Sequence, residues 1–169
     1  MTFNFEQLGR VVISMEGFRK DLSDDCIEIV GVSRIPTNDN LFKIDHNSPL
    51  LNDKERERFH LLTAKLLYFS KRTRPDILIC VAYSTKRVLE PRTNDWNKLA
   101  HTIRYIRETR TTPLTLEVDK PVKVIAYMDA SYAVHADKKS HTGCIITLGK
   151  GAVYGKSLTQ KLNTTSSVV

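Results

Sequence analysis

The spacing of the apolar residues changes once along this chain, and that change limits what it can fold into. From about residue 53 to residue 110 they recur at helical intervals, and from Leu114 onward they alternate. A first helix over about residues 53 to 70 carries Phe59, Leu62, Leu66 and Phe69 on one stripe, with Asp53 and Glu55 near its start. A second begins at Pro75, a favoured first-turn residue, and sets Leu78, Val81, Thr85 and Val88 on one face. A third follows Thr93, a residue suited to the N-cap, and puts Trp96, Leu99, Ile103 and Ile106 on one side, so Trp96 is read as core. Beyond it, Leu114, Leu116 and Val118 alternate with Thr115 and Glu117, and Val122, Val124, Ala126 and Met128 alternate with Ile125, Tyr127 and Asp129. Residues 143–148 and 152–156 read as two more strands, joined as a hairpin through Gly149-Lys150-Gly151.

The predicted fold class is therefore α+β, with a helical bundle over residues 51–112 and a β-meander over residues 113–169. Residues 1–50 form a third segment. Val11-Val12-Ile13-Ser14-Met15 reads as a short strand and Gly17-Phe18-Arg19-Lys20-Asp21-Leu22 as the start of a helix. The stretch from Gly31 to Leu50, with Pro36, Asn38, Asp39, Asn40, Asp45, Asn47 and Pro49, reads as a loop-rich linker.

A length of 169 residues with 41% hydrophobic content is enough for a packed core. The N-terminus lacks a basic start followed by a long apolar stretch, and no run of about 18 apolar residues occurs, so the chain is expected to be intracellular, with no membrane partner. Cys26, Cys80 and Cys144 are odd in number and widely spaced, and they are expected to be buried, reduced thiols that bind no zinc. The net charge of +7 favours a polyanionic partner, nucleic acid first. Between residues 53 and 110, fourteen Lys and Arg stand against seven Asp and Glu. Lys71, Arg72 and Arg74, clustered where two helices meet, are the best candidates for phosphate contact. His135 and His141 flank the loop after Asp129 and are read as loop decoration.

Several ordered motifs resemble the copia-type retrotransposon polyprotein. The run from Ala64 through Lys71-Arg72-Thr73-Arg74-Pro75-Asp76-Ile77, then Trp96-Asn97-Lys98-Leu99 and Arg104-Tyr105-Ile106-Arg107, is similar to the helices connecting its reverse transcriptase and ribonuclease H domains. Val124-Ile125-Ala126-Tyr127-Met128-Asp129-Ala130-Ser131-Tyr132, followed by Lys139-Ser140-His141-Thr142-Gly143 and Ser166-Ser167, resembles the start of the ribonuclease H domain. The segment from Val11 to Leu22 resembles the stretch after the polymerase active site.

The resemblance implies a reverse transcriptase tail and linker over residues 1–50, a helical connection over 51–112, and an incomplete ribonuclease H-like meander over 113–169. It makes Asp129 the remnant of the first catalytic, metal-binding carboxylate, and it places Lys156 and Lys161 near a hybrid backbone. The parent family cleaves RNA with Mg2+ held by several converging carboxylates. Laid on this sequence, the next ligand position lies beyond Val169, so no metal is expected to bind stably and neither cleavage nor polymerisation is expected of this chain. No Tyr-x-Asp-Asp pair occurs, and Asp24-Asp25 reads as a helix end. The expected partner is duplex or RNA–DNA hybrid, bound without sequence preference, with self-association through an unpaired sheet edge. The alternatives are a non-catalytic nucleic-acid-binding module and a degenerate transposon remnant.

Overall fold

The structure, a computed structural model, describes residues 1–161. The chain runs β1 (Thr2–Asn4), β2 (Arg10–Ser14), α1 (Glu16–Asp24), α2 (Asp53–Ser70), a 3-10 turn (Pro75–Ile77), α3 (Leu78–Thr85), α4 (Thr93–Glu108), β3 (Leu114–Val118), β4 (Ile125–Ser131), β5 (His141–Thr147), β6 (Gly149–Lys150) and β7 (Tyr154–Thr159). This is a mixed α and β fold with four helices and two antiparallel sheets, ordered β1-β2-β3-β6 and β4-β5-β7.

Helix α2 starts where Asn52 caps it. The Asn52 side chain accepts the Glu55 amide and the Glu55 carboxylate accepts the Asn52 amide, both at 3.0 Å, which satisfies two N–H groups at the helix start. Its stripe is buried as the spacing predicts, through Phe59, Leu62, Leu66 and Phe69. These pack with Leu22 of α1, with Ile77 and Val81, and with Leu99, Ile103 and Ile106 of α4 in one core cluster, and Trp96 lies against it partly buried. Burial of each such side chain is worth about 1.5–3 kcal/mol.

Two helix ends differ from the sequence reading. Helix α3 stops at Thr85, so Val88 lies outside it. Near that end Ser84 and Thr85 turn their hydroxyls back onto the carbonyls of Cys80 and Ala82, a local alternative that weakens helix continuation. Helix α4 takes Thr93 as its first residue rather than its cap. Its opening N–H groups are met by tertiary partners instead: Thr93 donates to Pro49 O at 2.9 Å and Asn94 to Ser48 Oγ at 2.9 Å.

The stretch from Gly31 to Leu50 contains neither helix nor strand, as its turn residues imply, but it does not behave as a linker. Ser33, Leu41 and Ser48 are buried, and Pro36 O accepts from both Cys80 Sγ and Thr102 Oγ1. It forms a strap across α3 and α4.

The strands also depart from a single C-terminal meander. β3 pairs with β2, setting Val11 opposite Leu116 and Ile13 opposite Leu114, so the first and third sequence segments share a sheet. Alternation identifies a strand but not its partner. Nor does Gly149-Lys150-Gly151 close a simple hairpin. β5 and β7 do pair, but Gly149 and Lys150 cross over to pair with Val118 and Glu117. The backbone is tight at that crossing, because Gly151 has φ +80° and a Cβ there would sit 2.0 Å from the Thr115 carbonyl oxygen. Gly151→Ala is expected to cost at least about 2 kcal/mol. At Gly9, where φ is +78° but the surrounding space is open, the same change should cost only about 1 kcal/mol. Urea unfolding of the two variants checks the difference.

Candidate nucleic-acid interface

Several basic residues of the helical block are turned to the chain's own loops. Arg107 donates to the carbonyls of Ser23, Cys26 and Ile29, Arg104 to Val30 O at 2.7 Å, and Arg58 to Asp25 O at 2.8 Å. Arg92 donates to the carbonyls of His46 and Ser48 at 3.0 and 2.6 Å, and Lys98 to Lys43 O. A loop crossing a core leaves main-chain carbonyls without secondary-structure partners, and charged donors on the helices supply them. These five of the fourteen cations between residues 53 and 110 thus serve the chain's own loops.

The three cations expected to form one surface are separated. Arg74 is 2% exposed. Its guanidinium holds Asp76 through Nε at 2.9 Å and Nη2 at 2.7 Å, donates to Thr109 Oγ1 at 2.7 Å, and lies over the Tyr105 ring at 5.2 Å. Burial pushes the Asp76 carboxyl up, but the hydrogen bonds and charge of Arg74, with a further bond from Tyr105, outweigh this and hold it below its ordinary range. Arg74 therefore has no role as a phosphate contact, because it is enclosed and already paired. Arg72 is exposed and lies 4.7 Å over the Tyr68 ring. Lys71 is exposed and donates to Gly155 O at 3.0 Å, tying the end of α2 to β7.

Lys71 opens onto a groove of about 610 Å³ between α3 and β7 whose rim also carries Lys86, Lys139 and Lys161, with no carboxylate among its lining residues. Leu67, Val81 and Leu158 line it between the lysines. Four lysines on one concavity make it a candidate site for an anionic backbone. Lys71 was a candidate from the clustered charge and Lys161 from the resemblance alone; Lys86 and Lys139 went unnoticed because nothing in the spacing brings the end of α3 beside the loop before β5. Lys156 lies elsewhere. It pairs with Cys144, which pairs with Met128, so alternation puts it on the sheet face opposite Ser157.

Asp129 is exposed on β4 opposite Gly143, and it shares a cavity of about 300 Å³ with Asp76, Leu78 and Ser157. Two Mg2+ ions need several carboxylate oxygens with lone pairs to give. Asp76, the other carboxylate lining this cavity, is already paired with Arg74 and accepts from Tyr105. Among the described residues no three His, Cys, Asp or Glu side chains come together as a metal site. The donor set does not fit the metals implied by the resemblance, and no cleavage step can be assigned to Asp129. Ser166 and Ser167 lie outside the described residues. Among those residues, no helix is long and apolar enough to cross a membrane.

His135 and His141 are more than loop decoration. His141 is buried, with Nε2 2.7 Å from Ser157 Oγ and Nδ1 3.1 Å from His135 Nε2, and His135 Nε2 is 2.7 Å from Thr159 Oγ1. Phe42 from the strap packs on both rings, at 4.7 and 4.9 Å between centroids. Burial, then His135, then Lys86 push His141 down to about 4. Its neutral form is therefore stabilised by folding. The contribution is complete above the ordinary histidine value near 6.5 and is lost as pH falls through about 4. Chemical denaturation at a series of pH values should show stability falling across that window, and His141→Gln should flatten the fall.

A protein named secreted RxLR effector protein 161, from Plasmopara viticola, is 27% identical over 103 residues, which is 60% of this chain and 72% of that protein. No family model matches this chain, and no solved structure matches it.

Proposed function

We propose that this chain is a piece of a copia-type retrotransposon polyprotein, running from the reverse transcriptase tail through its connection helices into the leading strands of a ribonuclease H-like domain. In this reading it holds duplex or RNA–DNA hybrid by the phosphate backbone, without sequence preference and without cleaving it. The observation that carries the reading is the succession of the Thr73–Ile77 turn, locked between α2 and α4, and an antiparallel β4-β5-β7 trio whose first strand bears Asp129. A resembling ribonuclease H domain opens with the same motif order. The lysine-rimmed groove supplies the charge for backbone contact. The similarity to a secreted effector favours a second reading, in which the chain acts as an effector-like protein.

One titration tests the nucleic-acid reading. Binding of fluorescent duplex and hybrid, followed by anisotropy at several salt concentrations, should be weak, equal across sequences, and steeply salt-dependent. Lys71→Ala combined with Lys161→Ala should weaken it for every sequence alike and lower the salt slope by about two. Arg72→Ala should have a smaller effect. Salt-insensitive or absent binding would contradict the proposal. No RNA strand should be cut in Mg2+ or Mn2+, and cleavage abolished by Asp129→Asn would contradict the account of the donor set.

A further inference from the structure

We infer that β4 is the seat of a twofold strand pairing between two copies of this chain, in the register that sets Lys123 of one copy opposite Asp129 of the other. This goes beyond the nucleic-acid reading and does not depend on it.

β4 ends the β4-β5-β7 sheet, so its outer edge lacks a partner strand among the described residues. Helix α3 packs mainly on β7, at the other edge, and β4 is exposed from Ile125 to Asp129. The strand and its approach are apolar yet open to solvent, with Val122 64%, Val124 72%, Tyr127 60% and Met128 77% exposed. An exposed apolar edge of this length is a template for another strand.

The sequence on that edge selects the partner and the register. In an antiparallel pair, opposed residues must both turn their N–H and C=O groups toward the junction or both away. In a twofold pair, the axis therefore passes through a residue. With the axis at Ala126, Lys123 faces Asp129, Val124 faces Met128, and Ile125 faces Tyr127. Every opposed pair is then of opposite charge or of two apolar side chains, with the smallest residue at the centre. Moving the axis to Tyr127 sets Asp129 against Ile125, and moving it to Asp129 sets two carboxylates against each other. Moving it to Ile125 sets Lys123 against Tyr127. Neither Lys123 nor Asp129 forms an ion pair within the chain among the described residues. The complementarity of the strand with its own reverse is what points to a second copy.

Sedimentation equilibrium of the whole chain should show a monomer–dimer equilibrium that goes no further. Asp129→Lys should weaken association by about tenfold, and Lys123→Asp combined with Asp129→Lys should restore it to within about threefold. Under mild oxidation, Ala126→Cys should cross-link two copies at that position faster than Val124→Cys does. A chain that stays monomeric, a species growing beyond the dimer, a double charge swap no tighter than the single one, or faster cross-linking at position 124 would each overturn the proposal.

Discussion

The buried guanidinium of Arg74 joins three parts of the chain that would otherwise meet only through apolar contact. It sits after α2, grips Asp76 at the start of the 3-10 turn, and reaches Thr109 at the end of α4, while Tyr105 closes the cage by donating to Asp76 at 2.8 Å. The turn between α2 and α3 and the end of α4 are thereby fixed relative to each other. A charge this enclosed is tolerable only because its hydrogen bonds are nearly all met, which makes the geometry of the turn exacting. Pro75 helps by presetting the backbone at the first position of the turn. The order Thr-Arg-Pro-Asp-Ile reads as a structural motif once these contacts are seen.

The same logic extends over the helical block. Arg58, Arg92, Lys98, Arg104 and Arg107 donate to carbonyls between Ser23 and Ser48, so a segment with almost no regular structure is held by side chains from elements that have it. Hydrogen bonds from charged donors are worth about 1.5–3 kcal/mol each, enough to order a strap that buries few large side chains of its own. Phe42 then carries the strap onto His135 and His141, which links it to the β4-β5-β7 sheet. The rim of one groove carries Lys71, Lys86, Lys139 and Lys161, of which Lys139 is paired with Asp137 and Lys71 and Lys86 each donate to β7. Part of the basic composition here is thus a means of folding.

The helices were legible in the sequence because Phe59, Leu62, Leu66 and Phe69, or Leu99, Ile103 and Ile106, fix both an element and the face it buries. β2 and α1 were legible for the same reason. Strand pairing was not. Leu114 and Leu116 announce a strand, but nothing local says that their partners are Ile13 and Val11, about a hundred residues earlier. The functional side chains were legible in proportion to how local their surroundings are. Lys71 and Lys161 sit on the groove as isolated cations might, but the fate of Arg74 depends on Thr109 and Tyr105, and the pairing of His135 with His141 depends on Phe42 and Thr159. Asp129 was found as a strand-borne carboxylate. That Asp76, the other carboxylate lining its cavity, is already paired with Arg74 could be seen only in three dimensions.

The stretch between α1 and α2, with its strap over Gly31 to Leu50, is held by cations of the helical block and is not a linker. Native-state hydrogen exchange tests it directly at the amides of Ile29, Leu51, Thr93 and Asn94, which bond within the strap or across its junctions with the helices. The account predicts exchange at the slow rate of the α2 and α4 core, accelerated together when Arg92 or Arg107 is replaced by Ala. Exchange at free-peptide rates in the unaltered chain, with the helices still protected, would contradict it.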